Sequence, residues 1–285
     1  MQARALALRW GWAALCGLAF IAAFWPTGVW MAARFDAHDS FYSHGWLIPA
    51  ASGWLAWQRR DRLARIPLGP SAAGLLLLAP AAAVHVLASW WSLNFISGFT
   101  MVAVVCALVW TLWGLRAVHA MRFPLAFLLF MVPLPGVLLI SASFYMKLWA
   151  ASMATVVLKL IGMPAIQAGS TIQVPGVSVI VDDTCSGLRS LISLIALAIL
   201  WTSVMPRGAT RVDKCIVVLS SIPIALAANM VRIVILVLVA AIYGVKHAEG
   251  FIHFGSGVVV FGVAIALLAG LSYILTHRHA REARP

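Results

Sequence analysis

Runs of roughly twenty apolar residues recur along most of this chain, and that pattern excludes a water-soluble fold. A hydrocarbon layer about 30 Å thick is crossed by about 20 helical residues rising 1.5 Å each. Composition agrees: of 285 residues 63% are hydrophobic and 10% charged, where soluble domains carry roughly a quarter charged. The expected fold is an all-α polytopic membrane protein, read as a single integral-membrane domain over residues 1–285.

Candidate spans run from about Trp10 to Trp30 and over 46–58, 71–91, 95–115, 123–135, 185–205, 214–244 and 254–275, about eight transmembrane helices in all. The second and fifth are short for a crossing. The charged start, with Arg4 and Arg9, also fits a cleaved signal peptide. An uncleaved first span fits better, because the run continues through Trp25-Pro26 to Trp30 with no convincing small-residue cleavage site.

Charge then orients the bundle. The 20 Lys+Arg against 8 Asp+Glu give +12, but the cations cluster between apolar runs and read as topology signals, not as a nucleic-acid surface. With eight spans drawn, five groups fall on one side, the cytoplasm: Arg4 and Arg9; Arg59, Arg60, Arg62 and Arg65; Arg116 and Arg122; Arg207, Arg211 and Lys214; Arg278, Arg281 and Arg284. The other side receives the loop with Arg34, Asp36, Asp39 and His44, the turn near Ser92 to Asn94, the loop 163–184 and the segment Lys246 to His253. Segment 137–162, with Lys147 and Lys159, fits this scheme as an amphipathic helix in the outer interface with its lysines in water. Alternation around Pro175-Gly176 within 169–181 predicts a small outer-face β-hairpin, with a turn looser than the tightest type.

Four cysteines, at 16, 106, 185 and 215, show neither zinc spacing nor a disulfide framework. Cys16 and Cys106 lie inside apolar runs, and Cys215 sits beside a basic stretch. Cys185 stands apart, at the junction of a polar loop and a long apolar run. Asp182, Asp183 and Thr184 are good N-caps, which puts Cys185 in the first turn of the helix that follows. The helix dipole and Arg189 there favour a thiolate, and the two aspartates oppose it.

Asn229 and Arg232, three residues apart, share a helical face, and charge within a span normally serves a site or a partner. Counted from Lys214, Arg232 falls ~27 Å along its span, near the outer boundary. His253 opens the last span on that side. A thiol, a guanidinium and an imidazole at one depth are what acyl transfer requires: a nucleophile, an oxyanion or thiolate stabiliser and an acid/base. Each has a plainer reading: a packing cysteine, a snorkelling or ion-paired arginine, a capping histidine. His44 is a further outer-side candidate for the substrate site or acid/base role, against an interfacial anchor. No G-x-S-x-G, H-E-x-x-H, P-loop or G-x-G-x-x-G is present, and carboxylates are too few for a paired-acid hydrolase. Thirteen tryptophans read as interfacial belts.

Thr184-Cys185-Ser186-Gly187-Leu188-Arg189-Ser190, then Ile222-Pro223-Ile224-Ala225 leading to Asn229-Met230-Val231-Arg232-Ile233, then His253 before a glycine-rich last span, resemble the exosortase/archaeosortase family over about 130–275. Pro133-Leu134-Pro135 and Tyr42-Ser43-His44-Gly45 extend the likeness over most of the chain. The resemblance implies a membrane cysteine transpeptidase or protease that processes proteins bearing a C-terminal sorting tail: a Pro-Glu-Pro-like motif, a transmembrane helix and a basic cluster. It assigns Cys185 as nucleophile, Arg232 as the essential arginine and His253 as general acid/base, with Arg189, Asn229, Ser186 and Gly187 in support and no metal or cofactor. It further implies a bacterial inner membrane, often beside exopolysaccharide systems, with the site facing the periplasm. The rival from another class is a non-enzymatic transporter or channel with Arg232 and His253 along its path; a third is an export scaffold. Acceptor, oligomeric state and substrate set are open at this level.

Overall fold

Backbone amides in lipid must find partners within the chain itself, so a sequence this apolar is driven into helices. The computed structural model describes residues 2–37, 40–67, 69–206, 208–245 and 251–282, without side-chain detail at 2–10, 184, 251–254 and 278–282. It is mostly helical, with one three-stranded sheet. Asp39, Arg207, Lys246 and Arg284 lie outside the described residues. So do the side chains of Arg4, Arg9, His253, Arg278 and Arg281.

Six described helices are long and apolar enough to cross a membrane: Gly11–Asp36, Ala72–Trp90, Asn94–Trp113, Gly136–Leu160, Arg211–Tyr243 and Gly255–His277. The expected count of eight is not reached. The segment 46–58 forms a helix of 12 residues, Leu47–Gln58, only ~18 Å long. The segment 123–135 breaks into a short helix, Arg122–Phe127, and a 3-10 turn, Leu128–Met131, with extended backbone following at Val132. The segment 185–205 forms a helix of 17 residues, Leu188–Val204, shorter than the six. The last difference is at 137–162. That segment is one of the six long apolar helices, and it exposes Val137, Leu138, Ile140, Phe144, Tyr145 and Trp149. An apolar outer surface is what a lipid-facing helix presents, so the amphipathic interfacial reading is corrected.

The chain divides into two compact units, 1–135 and 136–285. In the first, helices α1 (Gln2–Asp36), α2 (Leu47–Gln58), α3 (Arg60–Ala64), α4 (Leu75–Trp90), α5 (Asn94–Trp113), α6 (Leu115–Ala120) and α7 (Arg122–Phe127) follow one another. A buried polar chain joins three of them. Thr27 Oγ1 lies 2.6 Å from Ser97 Oγ, which lies 2.8 Å from His85 Nδ1, and His85 Nε2 reaches the Ala23 carbonyl at 3.2 Å. That carbonyl can only accept, so Nε2 carries the proton; with the ring neutral, Ser97 donates to Nδ1 and Thr27 to Ser97. The chain begins and ends on α1, so it pins α4 and α5 to one segment of it.

The second unit contains α8 (Gly136–Leu160), strands β1 (Ile166–Ala168), β2 (Thr171–Val174) and β3 (Val177–Ile180), then α9 (Leu188–Val204), α10 (Arg211–Tyr243) and α11 (Phe251–Glu282). The hairpin expected within 169–181 is present, with β1 added as a third antiparallel strand. Its turn is tight, contrary to expectation: Val174 pairs directly with Val177 across Pro175-Gly176, and Gly176 takes φ +80°. Proline presets the first central position and glycine supplies positive φ at the second, a type II turn. Ile172, Val174, Val177, Val179 and Val181 form one apolar cluster with Ala150, Ala154 and Leu158 of α8 and Ile233, Val234 and Val237 of α10. The sheet is therefore seated on these two helices.

Helix α10 starts at Arg211, earlier than Lys214, because Thr210 and Asp213 form a reciprocal cap: the Asp213 amide donates to Thr210 Oγ1 at 3.1 Å and the Thr210 amide to Asp213 Oδ2 at 2.7 Å. Ser97→Ala, which strands Thr27 and His85 together, is expected to destabilise the first unit by about 1–2 kcal/mol. Thermal unfolding of the detergent-solubilised variant checks this, and an unchanged midpoint would show the chain to be energetically idle.

Candidate active site

The loop leading to Cys185 differs from the expected helix start. Asp183–Cys185 form a single 3-10 turn, and α9 begins only at Leu188. The break is Gly187, at φ +82°, left-handed backbone that a right-handed helix cannot contain. The N-cap of α9 is Gly187, not one of the expected capping residues. Cys185 thus sits three residues before α9 and is not an i to i+4 neighbour of Arg189 on that helix.

Main-chain and side-chain bonds wind this turn tightly. The Cys185 amide donates to Asp182 O at 2.9 Å, and Ser186 Oγ donates to Asp183 O at 2.7 Å. Ser190 Oγ closes back on Gly187 O at 2.9 Å. Buried Asn229 on α10 donates through Nδ2 to the Cys185 carbonyl at 2.8 Å. A Cβ on Gly187 would lie 2.8 Å from Asn229 Nδ2. Glycine is needed there twice over, for its φ and for that approach.

Arg232 lies one turn beyond Asn229 on the same face of α10. Its guanidinium faces α11, where a Cβ on Gly257 would stand 3.5 Å from Arg232 Cζ. Ser190, Asn229, Arg232 and Gly257 border a cavity of about 30 Å³ whose other walls are apolar. Helices α9, α10 and α11 therefore meet around Arg232, and Cys185 is not among the residues that line this cavity. His253 belongs to the first turn of α11, one turn before Gly257 on the same face; its side chain lies outside the described residues. Arg189 is half-buried in the first turn of α9.

Cys185 is 5% exposed and shares the apolar cluster of Val181, Ile172, Ile233 and Val234. Reactive cysteines are ordinarily partly exposed, so this thiol is held in a closed pocket. The turn's acidic side is open, with Asp182 and Asp183 exposed.

Sequence reasoning passed over two residues. Lys147 Nζ and Ser143 Oγ, both on α8, each donate to Asp183 Oδ1 at 3.0 Å. Lys147 was expected in water; its side chain is only 20% exposed. A lysine in an otherwise apolar helix was the available signal. The hydrogen bond from Lys147, with help from Ser143, holds the Asp183 carboxyl below the usual carboxylate range.

His44 belongs to the first unit, in the 3-10 turn Ser43–Trp46, with its ring stacked on Tyr42 at 5.7 Å. Burial holds its imidazole below the ordinary range. The Leu134 amide donates to Tyr42 Oη at 3.2 Å, which ties that motif to Pro133-Leu134-Pro135. Among the described residues no group of three or more His, Cys, Asp and Glu is placed to hold a metal ion.

A family model described as transmembrane exosortase matches residues 30–270. The chain belongs to the transmembrane exosortase family. No curated protein and no solved structure matches it. The matched range of this exosortase takes in the Tyr42 to Gly45 turn, the Cys185 turn, Asn229, Arg232 and His253.

Gly187→Ala is expected to break the Asn229 to Cys185 bond and to cost about 1–2 kcal/mol in backbone strain alone. Thermal unfolding and the alkylation rate of Cys185 together check this. A variant matching the parent in both would show that the turn tolerates a Cβ.

Proposed function

We propose that this exosortase is a membrane-embedded cysteine transpeptidase or protease that removes C-terminal sorting tails from exported proteins through a thioacyl intermediate. The observation that carries the reading is the hydrogen bond from Asn229 to the Cys185 carbonyl, one helical turn from Arg232. It joins the only cysteine in a polar turn to the face of α10 that bears the guanidinium. Family membership supports a role in processing such tails.

In this mechanism His253 takes the Cys185 proton, the thiolate sulfur attacks the scissile carbonyl carbon, and Arg232 stabilises the oxyanion that develops. The carbon–nitrogen bond then breaks as His253 protonates the leaving amine. An acceptor amine or water attacks the thioester carbonyl and restores the thiol. Arg189 adds positive potential to the turn, while Asn229, Ser186 and Gly187 hold its shape. His44 is a candidate for contact with the substrate. Because Cys185 is closed off, arrival of the tail helix has to open the pocket, and water is excluded until it does. We place the protein in a bacterial inner membrane with this site toward the periplasm and both termini in the cytoplasm, from the distribution of Arg and Lys. A tail helix in the bilayer then presents its scissile peptide by diffusion in two dimensions.

Cys185→Ala, Arg232→Ala and His253→Ala are each expected to reduce tail removal from a co-expressed substrate by at least about 100-fold, at unchanged enzyme abundance. Immunoblotting for the processed product reads this out, and normal processing by Cys185→Ala would remove the nucleophile. A small impermeant thiol reagent applied with substrate present is expected to label Cys185 from the periplasm. Labelling only after the inner membrane is permeabilised would reverse the orientation.

A further inference from the structure

A lysine midway along an apolar helix calls for a partner, because an unpaired charge in such a segment is costly. Lys147 has one. It donates to Asp183 Oδ1 at 3.0 Å, beside Ser143, which donates to the same oxygen at 3.0 Å. Ser143 is fully buried, one turn before Lys147 on the same face of α8. Asp183 is no distant residue. It opens the 3-10 turn that ends at Cys185, and its carbonyl accepts from both the amide and the hydroxyl of Ser186.

We propose that Lys147, with Ser143, is a positioning residue for the Cys185 turn: the pair clamps Asp183 from α8 and neutralises its negative charge two residues before the nucleophile. This rests on the reading of Cys185 as nucleophile, and it adds α8 to a site otherwise built from α9, α10 and α11. Two physical effects follow from the one contact. The first is geometric: with Asp183 anchored on α8 and the Cys185 carbonyl on Asn229 of α10, the turn is held at both ends. The second is electrostatic. A bare carboxylate this near a thiol disfavours the thiolate, typically by about one pK unit or more at close range, and an adjacent ammonium cancels that field.

The charged and titratable groups of the turn and of the helix positions the proposed site draws on are Asp182 and Asp183 on the turn itself, Lys147 on α8, Arg189 in the first turn of α9, Arg232 on α10 and His253 in the first turn of α11. Of the two acids, Asp183 is bonded to both clamp residues. Its depressed carboxyl stays ionised at neutral pH, so the clamp persists there and opens only as pH falls below the ordinary carboxylate range.

The test uses the full-length protein in lipid nanodiscs, with Cys185 alkylation by iodoacetamide followed by peptide mass spectrometry across pH. Lys147→Met, which keeps the aliphatic stem beside Phe144, is expected to slow alkylation at neutral pH about tenfold and to move the profile up by about one unit. Lys147→Arg is expected to restore the parent profile. Asp183→Asn placed in the Lys147→Met background removes the uncompensated charge and is expected to recover most of the rate. A Lys147→Met profile that coincides with the parent overturns the proposal, as does a double variant no faster than the single one. Thermal unfolding of each variant identifies any that fails to fold, and Lys147→Arg supplies the folded comparison. The readout is separable from the enzymatic reading: a tail-processing assay in which Cys185→Ala remains active defeats the nucleophile assignment, yet leaves the alkylation profiles to report on the clamp.

Discussion

A buried amide side chain on an apolar helix has to find a hydrogen-bond partner, and Asn229 finds its partner in the main-chain carbonyl of Cys185. Left without one, such a group costs roughly 1–3 kcal/mol. The requirement dictates the local chain path. The turn must bring a carbonyl, not a side chain, onto α10, and the next residue but one must let the Asn229 amide through. Gly187 does this with a left-handed backbone and no Cβ. The same glycine is the N-cap that starts α9 only at Leu188, so the polar bond and the helix boundary share one cause.

A second polar constraint acts from the opposite side. Lys147 and Ser143 on α8 hold Asp183, while the apolar face of the sheet packs on α8 and α10 together. The sheet is thus more than a surface ornament of the loop. It brings the chain back to α10 after α8, and β3 runs directly into the Cys185 turn. The burial of Cys185 follows from the same packing, since Ile172, Val181, Ile233 and Val234 surround it.

Much of this was legible in order along the chain. Apolar runs of sufficient length located five of the six long helices as spans, and alternation around Pro175-Gly176 located the hairpin. The polar turn singled out Cys185 among four cysteines, and the three-residue spacing put Asn229 and Arg232 on one face. The failures have physical reasons. Asp182 to Thr184 have good capping chemistry, yet Gly187 takes positive φ and interrupts the helix they were expected to open. The loop-by-loop charge count required an interfacial helix at 137–162. It treated Lys147 as solvated, when the lysine has a carboxylate 36 residues away in sequence to neutralise it. The Pro-Gly turn was expected to be loose; proline at its first central position and the positive φ of Gly176 at its second suit a type II turn.

What the sequence determined by itself was the solvent and the inventory: an apolar chain that must satisfy its backbone in helices, and a thiol, a guanidinium, an amide and an imidazole on segments far apart. Periodicity and length are local properties, so composition and spacing suffice to read them. Tertiary structure alone decided that Asn229 grips the Cys185 carbonyl, that Lys147 answers Asp183, and that α9, α10 and α11 meet around Arg232. Those are pairings between helices, and no local pattern encodes them. They are selected by which buried polar groups can satisfy one another once the apolar faces have packed.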